Sequence, residues 1–177
     1  MAKIIECVPN ISSADEAVVS AVADEVRGTP GVTLLDTSSD ANHNRSVITF
    51  VGDPAGVEEA AVRLAKAAAA RIDMNRQKGE HPRMGAVDVM PFIPIRDTTM
   101  SECIALSKRV GERIYAEAGI PVFLYEASAT AQHRVNLASI RKGQFEGMAE
   151  KVQQPEWEPD FGGRKIHPTA GVVAVGA

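Results

Sequence analysis

The segment Lys78-Gly79-Glu80-His81-Pro82-Arg83-Met84-Gly85 concentrates more ionisable chemistry than any other stretch of the chain. An imidazole with an unperturbed pKa near 6.5 can both take and give a proton around neutrality. Gly79 and Gly85 allow backbone conformations that other residues resist, and Pro82 stiffens the position after the imidazole. Lys78, Glu80 and Arg83 bring charge able to tune it. His81 is therefore a candidate general acid–base. A loop histidine can equally be a solvated one, and spacing alone leaves both roles open. Asp40-Ala41-Asn42-His43-Asn44-Arg45 is the second candidate. It offers a carboxylate, an imidazole, two amides and a guanidinium, a set suited to gripping a polar substrate. The alternative is a solvated loop in which Asp40 and Asn42 serve turn geometry.

His133, beside Arg134, reads as surface, whereas His167 precedes Pro168 in a run with Gly162, Gly163 and Gly171, where a backbone can approach a ligand closely. Other chemistries lack support. No His-x-x-x-His, Cys-x-x-Cys or clustered-carboxylate spacing favours a metal. Neither a Gly-x-Gly-x-x-Gly turn nor a phosphate-binding loop is present, and no serine sits in a Gly-x-Ser-x-Gly elbow. A net charge of −4 gives no basic field for nucleic acid. No apolar stretch approaches the roughly 20 residues a bilayer crossing needs. Cys7 and Cys103, inside apolar segments, read as buried reduced thiols of a cytoplasmic protein.

These residues must be positioned by alternating strands and helices. The pattern predicts a strand over Lys3–Val8, a helix capped by Ser12 or Ser13 with Glu16 completing a capping box, and strands over 32–36 and 45–51. Thr37–Asn44 between them reads as a polar functional loop. Asp53-Pro54 opens a second helix reaching about Ile72 or Met74, followed by the polar loop Asn75–Gly85. Val87–Ile95 is a strand whose Pro91 and Pro94 place it near an edge or a bulge. Thr98 or Thr99 caps a helix to Ala118, Pro121–Tyr125 is a strand, and Asn136–Arg141 and Phe145–Val152 are helical pieces. Ala170–Ala177 reads as a strand that either closes the sheet or leads into a longer protein, the second being favoured. The fold class is α/β (α+β), a mixed β-sheet with helices packed on its exposed face.

In order along the chain stand Glu6-Cys7-Val8-Pro9-Asn10, Asn44-Arg45 before a Thr-Phe-Val-Gly strand end, Ile72-Asp73-Met74, the His81 segment through Ala86, Pro91-Phe92-Ile93-Pro94, and Glu156-Trp157 with Pro159-Asp160-Phe161-Gly162. This series resembles the N-terminal subdomain of the formiminotransferase family, over nearly the whole chain. The resemblance implies a transferase that moves a formimino group from N-formimino-L-glutamate to N5 of tetrahydrofolate, its co-substrate, in histidine breakdown. It implies His81 as general acid and base. Asp40, His43, Asn44, Arg45, Glu80 and Arg83 become the substrate-binding candidates. In the family the loop acid falls slightly earlier, at Ser38 of this chain, so Asp40 stands in by proximity.

The folate-contacting stretch maps onto Gly162, Gly163, Arg164, Lys165, Ile166, His167, Pro168, Thr169, Ala170 and Gly171. Arg164 and Lys165 would meet carboxylates, and the glycines would admit the pterin. A C-terminal subdomain or partner chain is implied, and the uncovered last strand is expected to favour a homo-oligomer. No metal, nucleic acid or membrane partner is expected. A folate-binding or assembly module without turnover is the alternative, and action on 5-formyltetrahydrofolate is a third reading.

Overall fold

The computed structural model describes residues 2–177; Met1 lies outside them. The chain begins with β1 (Ile4–Cys7) and β2 (Asn10–Ile11), two pieces of one broken strand. Helix α1 (Glu16–Arg27) then leads to β3 (Val32–Asp40) and β4 (Arg45–Gly52). Alternation along β4 sorts its faces: Ser46, Ile48 and Phe50 are buried, while Arg45, Val47, Thr49 and Val51 are half-exposed. Helix α2 (Pro54–Arg71) follows, with Asp53 as cap and Pro54 in its first turn as the sequence predicts. Its buried face, Ala60, Ala61, Leu64, Ala65 and Ala68, is small enough for close packing. β5 (Val87–Arg96), α3 (Met100–Ala118, capped by Thr99), β6 (Val122–Tyr125), α4 (Leu137–Arg141), α5 (Gln144–Lys151) and β7 (Val173–Gly176) complete the order.

All strands join one seven-stranded mixed sheet. Its spatial order is β3, β4, the β1/β2 pair, β5, β7, β6. Pairing is antiparallel up to β5 and parallel among β5, β7 and β6. Helices α1, α2 and α3 pack side by side on one face over the main core. On the other face Ile140, Met148 and Val152 cover Val89, Phe123, Tyr125, Val172 and Ala174. Leu35, Ile93 and Ile95 remain exposed. The predicted mixed sheet with packed helices is what folds. No helix among the described residues is long and apolar enough to cross a membrane.

Four expectations are corrected. Asp15, not Ser12 or Ser13, caps α1, its Oδ1 accepting from the Ala17 and Val18 amides. The serines are buried: Ser12 Oγ donates to the Gly85 carbonyl, and Ser13 Oγ accepts from the Asp15 amide. Thr37–Asp40 is strand rather than loop, paired residue for residue with β4 down to Asp40 opposite Arg45. β5 is interior rather than an edge over Val89–Pro91, where β7 pairs with it; past Pro91 it pairs with β1 alone. Its prolines fit because its partner is broken between β1 and β2 and shifts register at Ile4/Ile5, opposite Pro94, so the bulge half of that expectation holds. The last strand is also interior: β7 lies buried between β5 and β6, and offers no unpaired edge for self-association.

Candidate functional site

Two loops meet because small backbone details let them. The turn 41–44 closes the β3–β4 hairpin, with Asn44 in the left-handed region at φ 51°. Asn44 Oδ1 accepts from the Ala14 amide at 2.9 Å, and its Nδ2 donates to the Lys78 carbonyl at 2.8 Å. The Glu80 amide donates to the Asn42 carbonyl at 3.1 Å. Gly79 permits this apposition: a Cβ there would lie 2.3 Å from the His43 carbonyl oxygen. The result is that Arg45 Nη1 donates to His81 Nε2 at 2.7 Å, and the His43 ring stands edge-on to that of His81, centroids 6.2 Å apart. The two polar segments singled out in the sequence therefore form one site.

Accepting from a guanidinium requires the His81 lone pair, so the imidazole is neutral with its proton on Nδ1. Partial burial, then the Arg45 charge, then that of Arg141 hold its pKa below the ordinary histidine value; Asp88 and the Pro82 carbonyl oppose them. Asp40 reaches His43 instead of His81. Its Oδ2 accepts from His43 Nδ1 at 2.8 Å and its Oδ1 from the His43 amide at 3.1 Å. These bonds hold its carboxyl below the usual range.

Glu80 is exposed at the rim, with its carboxylate free among the described residues. Arg83 is different. All of its N–H groups donate internally, to Gln77, Gln144 and Glu146, and it is 7% exposed. It braces the loop against α5 with no donor left for a substrate. Asp88, which sequence reasoning missed, is 2% exposed; it accepts from the Met84 amide at 2.9 Å and pairs with Arg141. A carboxylate inside the apolar run Val87–Met90 was the available signal.

Gly162–Gly171 takes a separate course. It runs past the end of α3, where the Gly162 Cα faces Tyr115 and Pro121, and returns to the His81 loop through the Ala86 amide on the Ala170 carbonyl at 2.9 Å. Its polar groups are mostly consumed. His167 Nδ1 accepts from the amides of Thr169 (3.2 Å) and Ala170 (2.9 Å), while the backbones of His167 and Gly171 bond reciprocally. Arg164 turns away to the Gln153 carbonyl and Glu158. Cys7 and Cys103 are buried free thiols, both pushed up in pKa by burial. His133 is exposed and stacks edge-on against Trp157 at 4.8 Å. No cluster of three or more metal-ligating side chains occurs among the described residues.

A site of neutral imidazole, adjacent guanidinium and exposed carboxylates can exchange protons with a cationic or polar substrate. The family model for the formiminotransferase domain, N-terminal subdomain, matches residues 4–177. The chain belongs to this family. It is 60% identical over its whole length to a glutamate formimidoyltransferase of Streptococcus pyogenes, covering 60% of that protein. It is 44% identical over 98% of its length to the Thermoplasma acidophilum glutamate formimidoyltransferase, covering 58% of it. A formimidoyltransferase-cyclodeaminase of Dictyostelium discoideum is 46% identical, and the chain covers 33% of it. Among solved structures, MupZ from Pseudomonas fluorescens matches 55% of this chain and 72% of its own, at TM-score 0.33 and 13% identity. The chain thus spans 60% or less of the length of these curated relatives.

Proposed function

We propose that this formiminotransferase subdomain carries the proton-transfer machinery of a glutamate formimidoyltransferase, with His81 as general base and then general acid. The observation that carries the reading is the Arg45–His81 contact at 2.7 Å, in the loop pair that the family motifs flank. N5 of tetrahydrofolate attacks the formimino carbon of N-formimino-L-glutamate, forming the new C–N bond. The N5 proton passes to His81 Nε2 once substrate displaces the Arg45 N–H from it. The imidazolium then returns the proton to the glutamate nitrogen as the old C–N bond breaks, releasing glutamate and 5-formiminotetrahydrofolate.

The electrostatics suit both halves of that exchange. Burial and the Arg45 charge keep the imidazole neutral and ready to accept, and the same charge makes the imidazolium a better acid. Asp40, held by His43, and Glu80 supply negative charge for the protonated formimino group. Asn44 shapes the turn, and Arg83 braces the loop. Gly162–Gly171 is the folate segment in this reading, presenting backbone more than side chains, and the second wall of the groove comes from a C-terminal subdomain. The test joins this chain to such a subdomain and follows formimino transfer to tetrahydrofolate. Transfer that disappears with His81→Ala supports the reading, and a wild-type protein that binds folate without turnover replaces it with the binding-module alternative.

A further inference from the structure

Beside the His81 loop lies a cleft of about 400 Å³, with Pro82, the residue following His81, forming one wall. The opposite wall is the end of α4 and its turn into α5: Ser139, Arg141, Lys142, Gly143 and Gln144. Its lining is one-sided in charge. None of these residues is a carboxylate, and each polar side chain carries a hydrogen-bond donor. Among the described residues the Lys142 ammonium has no ion pair or hydrogen bond. Gln144 gives its amide oxygen to Arg83 at 2.9 Å, which leaves its NH2 uncommitted. Arg141 pairs through Nη2 with Asp88, yet its Nε is buried without any partner.

A further cation stands close by. Lys151 Nζ is fixed on the carbonyls of Ser139 (2.7 Å), Ile140 (2.6 Å) and Lys142 (2.9 Å), and over the Trp157 ring at 4.2 Å. Burial, together with the Lys142 charge, lowers its pKa to about 8. Glu146, the nearby acid on α5, is bound to Arg83 and cannot neutralise these charges. The cleft thus presents one uncommitted cation, Lys142, beside the Asp88-paired Arg141, whose charge is close enough to be felt at His81.

We infer that this cleft holds a carboxylate of the formimino donor, with Lys142 and Arg141 as the binding cations. The inference rests on the transferase reading above. In a formimino-glutamate the carboxylates lie only a few bonds from the reacting carbon, which matches a recess adjoining His81. The tail carboxylates of a folate lie much farther from N5, beyond the pterin and the aminobenzoyl ring. Charge-assisted hydrogen bonds are stronger than neutral ones, so losing one raises the donor KM by about 10- to 100-fold.

The experiment uses the protein with its C-terminal subdomain and the exposed-site variants Lys142→Gln and Lys142→Glu, whose position at the surface spares the fold. Donor KM is expected to rise about tenfold in Lys142→Gln and further in Lys142→Glu, with kcat and the tetrahydrofolate KM within about twofold of wild type. Arg141→Lys, which keeps a charge for Asp88, checks the second cation. A donor KM unchanged in both Lys142 variants overturns the inference. So does a selective rise in the folate KM, which would assign the cleft to the folate tail. Nuclear magnetic resonance titration of the same proteins with L-glutamate is independent of turnover. Shifts at the Gly143 and Gln144 amides that vanish in Lys142→Glu support the cleft even if no transfer occurs, in which case the transferase reading alone fails; no shift in wild type overturns the cleft.

Discussion

The His81 corner and the Gly162–Gly171 segment are joined through the Ala86 amide on the Ala170 carbonyl, yet they spend their polar groups in opposite ways. At the corner, backbone bonds and Asn44 do the structural work, so His81, Asp40, His43 and Glu80 keep reachable polar atoms. In the glycine segment the side chains do that work themselves: the His167 ring is fixed by two amides and Arg164 by a carbonyl and a carboxylate. Chemistry needs spare hydrogen-bonding capacity, and the first region concentrates it, whereas the second keeps the exposed Lys165 ammonium as its main uncommitted group. The second is shaped to be approached.

The largest expected effect tests that division directly. His81→Ala in the chain joined to a C-terminal subdomain of the family should lower kcat by about 10²–10⁴-fold, the usual worth of a general acid–base. Tetrahydrofolate affinity, measured by calorimetry, should stay within about twofold. A variant that keeps more than a tenth of the wild-type rate removes His81 from the mechanism. Gly79→Val comes next. Its Cβ cannot sit 2.3 Å from the His43 carbonyl oxygen, so the loop must retreat from the hairpin and take His81 off Arg45. A displacement near 1 Å is enough for roughly a 10²-fold loss of kcat. Gly147→Ala, on α5 where a Cβ meets nothing within 4 Å, is the matched control and should leave kcat intact.

How much of this was legible in the sequence follows the physics of each segment. The His81 loop announces itself through glycine, proline and charge, and the helices through caps such as Asp53-Pro54 and Thr99. Thr37–Asp40 did not read as strand because β3 is an edge with polar residues on both faces; its pairing to β4 leaves no apolar alternation to detect. The place of β7 between β5 and β6 is a long-range parallel pairing, which periodicity cannot rank against an edge position. Asp40 and Arg83 were expected near the chemistry from their position in the chain. Which partner each would choose, His43 for one and Glu146 for the other, depends on side-chain directions the sequence does not encode locally.

Arg45→Met sharpens the electrostatic half of the comparison. Removing a cation that disfavours the imidazolium should raise the His81 pKa toward the ordinary value near 6.5. The acid limb of kcat/KM, which requires the neutral base, moves up in pH with it. The variant is then more impaired at pH 6 than at pH 8. Proton resonance titration of the His81 ring reads the same shift without turnover, and an unmoved midpoint shows that Arg45 does not tune the base.

The smallest effect on rate, and a measurable one on stability, is expected from His167→Ala. Its Nδ1 accepts from the Thr169 and Ala170 amides, so the variant leaves those donors without their partner and should lose roughly 1–3 kcal/mol of stability. With no reactive group removed, kcat at 25 °C should change by less than about twofold. The pH dependence carries the same assignment. Burial holds the folded imidazole below its ordinary pKa, while in the unfolded chain it binds a proton near pH 6.5. Between those two values the unfolded state carries more protons, so stability rises with pH across that window and is complete above it. Protonation at Nδ1 would also set a third N–H against the two amides. Acidifying from pH 7 to 5 should therefore lower the wild-type melting temperature, with His81 contributing in the same direction. His167→Ala should flatten that dependence without abolishing it. An undiminished slope would mean that His167 is not the titrating brace of this segment, and a kcat that fell with it would make the glycine stretch part of the chemistry after all.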